Sequence, residues 1–249
     1  MAFVPVQPVR SFLAEAGQVS LPGCFIVMEG GEGVGKTTQW TRVAAGLEAA
    51  GHRVVSLREP GGTPAGDRLR AVLLDPASTL APVTEALLFA ASRAQLVSDV
   101  IRPALASGAV VFVDRFLLST YAYQGAGRGI PLETLRTIND AATGGIAPDL
   151  TLLLTMSLDA ALARMTSRGT ADRMEREGRE FHARVQGAFL RATDLTWQAA
   201  HPEIGPVVTV DAQGTPESVS ARCMAAIALH WPHRFASLSG SNDARLSHA

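Results

Sequence analysis

The stretch EGGEGVGKTT, Glu29 to Thr38, carries four glycines and one lysine directly after the apolar run CFIVM. That composition makes poor core, but it suits an anion. Gly30-Gly31-Glu32-Gly33-Val34-Gly35-Lys36-Thr37 fits G-x-x-x-x-G-K-[ST], in which glycines let backbone N–H groups turn inward around a polyphosphate. A helix beginning after the loop would add its positive end. Lys36 can reach β- and γ-phosphates and Thr37 can offer a hydroxyl to Mg²⁺, so these eight residues are expected to hold a nucleoside triphosphate. Kinases, ATPases and GTPases share that chemistry. Glu32 stands apart, because a carboxylate in a loop built for anions must face something else.

Other stretches could supply it. VVFVDRF ends an apolar run with Asp114 and Arg115. Arg115 could fork onto a phosphate, with Asp114 orienting it or a Mg²⁺-bound water; a structural Asp–Arg pair at a strand end is the alternative. Glu85, Phe89 and Arg93 recur every four residues, so a helix would stack them on one face. A phenylalanine above an arginine could sandwich a base and bond its edge. Leu96 lies on the same side, and the spacing is equally satisfied by a second packed face. In STYAYQG, Ser119, Thr120, Tyr123 and Gln124 can line a base-and-sugar pocket, although Ser119 or Thr120 could also cap a helix. From Arg164 to Arg184 arginines and acids crowd together, as in a salt-bridged, solvated helix. The same charge could serve a segment that closes over a triphosphate and excludes water.

EGGEGVGKTTQ, REPGGT (58–63), LLFAASRAQ (87–95), DRFLLSTYAYQG (114–125) and ADRMEREGREFHARV (171–185) occur in the order seen in the thymidylate kinase family, which the chain resembles over roughly residues 23–231. The resemblance implies a P-loop NTPase fold, MgATP and dTMP as substrates, and dTDP and ADP as products. It implies that Arg115 grips the acceptor phosphate, Phe89 stacks on thymine, and Arg93 bonds a thymine oxygen. Tyr123 would lie against the sugar and disfavour a 2′-hydroxyl, Glu32 would sit near the 3′-hydroxyl, and Glu59 and Pro60 would border the acceptor. It further implies a homodimer and a catalytic arginine in the lid near 164–184, with Arg168 the first choice and Arg173 the second. Arg176, Arg179 and Arg184 are left to the solvated surface. Two positions depart from the family: Thr155 stands where aspartate is usual and Phe189 where tyrosine is common.

Positioning these residues requires elements that the hydrophobic pattern supplies. CFIVM (24–28), RVVSL (53–57), VVFVD (110–114), LTLLL (150–154) and VVTV (207–210) read as strands, mostly the continuous apolar runs of strands covered on both faces. Helical patterns fill the intervals at 36–50, 83–105 and 132–143. In the second of these Leu87, Ala90, Ala94, Val97 and Ile101 are expected to form the core face. Strand and helix in alternation predict a three-layer α/β fold, a mostly parallel sheet flanked by helices. One domain is expected at 23–232, between an extension at 1–22 and a disordered tail at 233–249.

Composition narrows the class. At 47% hydrophobic and 18% charged residues the chain reads as a soluble globular protein, and a net charge of −1 gives it no electrostatic reason to bind nucleic acid or an anionic membrane. Cys24 and Cys223 have no metal or redox spacing. No apolar run is long enough to cross a membrane, and no signal-peptide pattern opens the chain, so the cytoplasm is expected.

Overall fold

The structure, a computed structural model, describes residues 23–166 and 172–238. The expected N-terminal extension and Arg168 lie outside the described residues. Five strands, β1 (Cys24–Glu29), β2 (Val54–Arg58), β3 (Val110–Asp114), β4 (Leu150–Thr155) and β5 (Val207–Asp211), form one all-parallel sheet in the order β2-β3-β1-β4-β5. Side chains alternate across it. Phe25 and Val27 face one core with Val111, Val113 and Leu153, while Cys24, Ile26 and Met28 face the other with Val110, Phe112 and Leu152. Two buried faces explain why the central strands β1, β3 and β4 are almost wholly apolar, while the edge strands β2 and β5, partly exposed, carry Ser56, Arg58, Thr209 and Asp211.

The helices in chain order are α1 (Lys36–Ala49), α2 (Pro64–Leu74), α3 (Pro82–Leu96), α4 (Arg102–Ala106), α5 (Leu117–Thr120), α6 (Leu132–Thr143), α7 (Leu158–Thr166), α8 (Arg179–Arg191), α9 (Leu195–Ala200) and α10 (Pro216–His230). Val43 and Leu47 of α1 and Val219, Cys223 and Ile227 of α10 cover one face of the sheet. Leu96 of α3, Leu117 of α5, Leu135 of α6 and Val185 of α8 cover the other. Neighbouring strands β1 and β3 lead into helices on opposite faces. Their carboxyl ends therefore open a crevice, where α/β sheets collect ligands.

Three expectations are corrected. The helix expected over 83–105 is divided, because Val97–Ile101 is π-helical before α4. Pro103 lacks an N–H and crowds the preceding turn, and the wider π turn accommodates it. The expected core face is kept at Ala90, Val97 and Ile101, which are buried, but not at its start, and the buried side extends onto the charged face. Leu87 is 52% exposed, whereas Glu85, Ala86, Arg93 and Leu96 are buried. Packing between α2 and α6 also buries the side that carries Glu85 and Arg93, the second packed face that their spacing allowed. Finally, residues 233–238, expected to begin a tail, belong to the fold. Phe235 is fully buried against His52 and Trp231, with ring centroids at 4.6 and 5.6 Å.

Candidate active site

The loop after β1 owes its shape to glycine. Gly33 has φ 75°, and a Cβ there would run into the carbonyl oxygen of Ala161. Gly35 has φ 97° and begins α1 from the left-handed region. Val34 turns into the core, while Glu32, Lys36 and Thr37 face a cavity of about 230 Å³. Lys36 folds back onto its own loop and donates from Nζ to Gly31 O at 2.6 Å. Burial and the nearby Arg115 push its ammonium down to about 8, against the pull of Glu32, Asp114 and Glu29.

Arg115 follows β3 with φ 71°, the one non-glycine at positive φ among the described residues. Such a backbone persists only where its surroundings hold it. Arg115 N donates to Met28 O at 2.9 Å, and the next amide, Phe116 N, donates to Glu29 Oε1 at 2.8 Å. Glu29 is fully buried and also accepts from Ser119 N at 3.0 Å and Ser119 Oγ at 2.6 Å. The guanidinium donates to Gly30 O at 3.1 Å and Ser119 Oγ at 3.2 Å, pairs with Glu32 at 2.5 Å, and lies 4.9 Å over the Tyr123 ring. Burial works against charge on Glu32, but Arg115, Lys36, the hydroxyl of Tyr123 at 2.8 Å and His182 outweigh it. They hold its carboxyl at about 2. The carboxylate in the anion loop thus partners the arginine of the next strand end.

Arg93 is 2% exposed and forms part of the cavity wall. Its Nε and Nη2 meet Glu59 Oε2 at 2.8 Å, its Nη1 meets Asn139 at 2.7 Å and Thr120 at 3.1 Å, and its Nη2 reaches Phe116 O at 3.1 Å. All five N–H groups are thereby held by protein acceptors. Phe89, one turn before it, lines the same cavity. Ser119 and Thr120 cap no helix; Ser119 serves Glu29, and Thr120 serves Arg93. Tyr123 and Gln124 lie in a π-helical segment, Tyr121–Gly127, that follows α5. Tyr123 packs between Phe181 and Phe189, with centroids at 6.2 and 6.1 Å, and burial raises its phenol well above its usual value.

One cavity therefore brings together Glu32, Lys36, Thr37, Glu59, Pro60, Phe89, Arg93, Asp114, Arg115, Ser119, Thr120, Tyr123 and Gln124. Gly30, Gly31 and Val34 shape the loop from outside that lining. Arg173 also lies outside it. Its Nη1 is bound to Glu85 at 2.6 Å and its Nε to Leu73 O at 2.8 Å, so it pins residues after 171 to the end of α2 and the start of α3. Sequence reasoning missed Arg58 and Arg70, two further cations on the wall, and Glu29 and Asn139 behind it. The signal for Glu29 was an acid ending an otherwise apolar strand. Asn139, 46 residues from Arg93, left no local signal.

The donor set suits a hard cation. Among the described residues Asp114 Oδ1 is buried without a hydrogen-bond partner, and Thr37 adds a hydroxyl across the cavity. Oxygen donors in small number fit Mg²⁺, which keeps waters and phosphate oxygens as its other ligands.

The thymidylate kinase family profile matches residues 28–210. The chain is 48% identical over 205 residues to the thymidylate kinase of Deinococcus radiodurans, spanning 82% of this chain and 96% of that protein. It is 49% identical over 200 residues to the thymidylate kinase of a Synechococcus strain, JA-3-3Ab, covering 80% and 92%. Against the thymidylate kinase of Geobacter sulfurreducens the figures are 53% over 175 residues, 68% and 82%.

Proposed function

The chain belongs to the thymidylate kinase family, and from that membership and the lining of the cavity we propose that it transfers the γ-phosphoryl group of ATP to the 5′-phosphate of dTMP, giving dTDP and ADP. The observation that carries the reading is a single cavity lined by Lys36 and Thr37 of the glycine-rich loop, by Arg115 after β3 and by the aromatic Phe89. A module that only sensed ATP would need no second grip.

Phosphoryl transfer asks the protein for alignment and positive charge. Lys36 leaves Gly31 O for the β/γ-phosphates, and Arg115 exchanges or shares Glu32 for the acceptor phosphate. Loop amides hold the triphosphate, and Thr37 and Asp114 would hold Mg²⁺, which when bound neutralises charge on the phosphates. Phe89 stacks on the base, with Arg93 fixing the wall beside it. Glu59, Pro60, Ser119, Thr120 and Gln124 complete the acceptor side, and Tyr123 excludes a 2′-hydroxyl. Glu32 faces the sugar as well as Arg115. Arg168 is assigned the lid charge. Arg173, bound to Glu85 and α2, supports the acceptor wall in this conformation.

We assign the protein to the cytoplasm; among the described residues no helix is long and apolar enough to cross a membrane. A homodimer would bury Val83 and Leu87 of α3, each 52% exposed, with Val72 of α2, 45% exposed. Sedimentation at micromolar concentration tests that assembly.

The activity is tested by ADP release from MgATP with dTMP, dUMP, UMP, dCMP or AMP as acceptor. Strong preference for dTMP over UMP supports the pocket and the sugar gate. Turnover only with another acceptor discards the substrate, and none with any acceptor discards the kinase.

A further inference from the structure

Glu85 is fully buried near the start of α3, one turn before Phe89. Its Oε1 accepts from Gln124 Nε2 at 2.8 Å and Arg128 Nε at 3.2 Å, and its Oε2 accepts from Arg173 Nη1 at 2.6 Å and Arg128 Nη2 at 3.1 Å. Arg128 is shared with Glu177 at 2.6 Å. Burial works against the carboxylate charge, but the bonds from Gln124, Arg128 and Arg173 outweigh it and hold the group below its usual range. Two arginines in contact with one carboxylate keep it ionised in any case.

An ionised carboxylate accepts and never donates. Only the nitrogen end of the Gln124 amide can meet it, so that amide is locked against flipping. Gln124 is 2% exposed and lines the cavity. With its nitrogen turned to Glu85, its carbonyl oxygen is the end left to meet a ligand.

We propose that Glu85 is a positioning residue for base selection: by holding the Gln124 nitrogen, it presents Gln124 Oε1 as an acceptor, which favours a pyrimidine bearing an N3–H over cytosine. Cytosine offers its own acceptor at N3, and two facing acceptors leave both unpaired. A free amide would escape that conflict by turning its NH₂ to the base. Glu85, backed by Arg128 and Arg173, forbids the turn. This inference rests on reading the cavity as the acceptor-nucleotide site. A site built to bond an N–H rejects ligands that lack it by up to about 10⁴-fold.

The test is kcat/KM for dTMP and for dCMP in the full chain carrying Glu85→Gln. The introduced amide can meet Gln124 in either sense, so the dTMP-to-dCMP ratio is expected to fall at least about tenfold, chiefly through gain with dCMP. A purely architectural role would lower both substrates together and leave the ratio unchanged, which overturns the proposal. If Glu85→Gln does not fold, Gln124→Met carries the test, since it removes the acceptor and leaves both arginines paired with Glu85. The dTMP-to-dCMP ratio of kcat/KM should then drop about 100-fold, chiefly through loss with dTMP; equal losses, or none, overturn the proposal. Wild-type protein inactive on dTMP defeats the kinase reading itself. Active wild type with an unchanged ratio in Glu85→Gln defeats only the role of Glu85, and an unchanged ratio in Gln124→Met defeats Gln124 as the acceptor as well.

Discussion

Replacing Glu29 by alanine should weaken dTMP binding selectively, although Glu29 itself does not line the cavity. Its carboxylate accepts Phe116 N at 2.8 Å and Ser119 N at 3.0 Å on one oxygen, and Ser119 Oγ at 2.6 Å on the other. Alanine leaves two buried backbone N–H groups without partners, each costing about 1–3 kcal/mol. Relief of a buried, partly uncompensated charge offsets part of this, and a net loss of about 2–4 kcal/mol is expected by urea denaturation. The functional effect runs through Arg115. A non-glycine residue in the left-handed region costs roughly 1–2 kcal/mol, and Glu29 grips the amide next to it. Once that grip is gone, relaxation of Arg115 by the same amount leaves about one molecule in 5 to 30 with its guanidinium correctly placed. KM for dTMP should rise by that factor, while KM for ATP, set by the glycine loop, changes by less than about threefold. Glu29→Gln keeps an acceptor for both amides and should restore KM for dTMP to within about threefold of wild type. The assay is steady-state ADP release at saturating ATP with dTMP varied, then the converse. A folded Glu29→Ala protein with unchanged KM for dTMP, or with both KM values raised equally, would refute the reasoning.

The pH dependence of ATP binding should follow Lys36, whose ammonium is lowered by burial and Arg115 from 10.5 to about 8. Triphosphate favours the charged form, so affinity should be full below pH 8 and weaken as pH rises through it; constant affinity by calorimetry up to pH 9 would contradict the assignment. Tyr123→Ala opens the space between Phe181 and Phe189 and should cut the dTMP-to-UMP preference at least about tenfold, read from kcat/KM for the two acceptors. Phe235→Ala should cost about 3–5 kcal/mol, lowering Tm by roughly 6–20 °C with KM values unaltered, because its ring lies in the core against Trp231 and lines no part of the cavity. Calorimetry of that variant shows whether residues past 232 belong to the cooperative unit.

The strand positions and the phosphate loop were legible in the sequence because their causes are local. A strand buried on both faces must be apolar at successive residues, and a polyphosphate cradle needs glycine, lysine and threonine at fixed separations in one turn between strand and helix. Asp114 and Arg115 were legible for the same reason, as polar residues ending a buried strand. The Glu85, Phe89 and Arg93 face of α3 was legible as a face, but spacing did not decide between a base pocket and packing. Glu85 and Arg93 point inward because partners arrive from far along the chain: Gln124 and Arg128 about 40 residues from Glu85, Asn139 46 residues from Arg93, and Arg173 88 residues from Glu85. A charged residue reads as surface until its partners are known, since burial is tolerable only where opposite charge and hydrogen bonds answer it. Residue types and their spacing along the chain thus determined the fold class, the glycine-rich loop between strand and helix and the candidate list. Tertiary packing alone decided which carboxylates are buried, that Glu29 holds Arg115, that Glu85 locks Gln124, and that Arg173 is tied down, because each of these depends on distances between residues far apart in the chain.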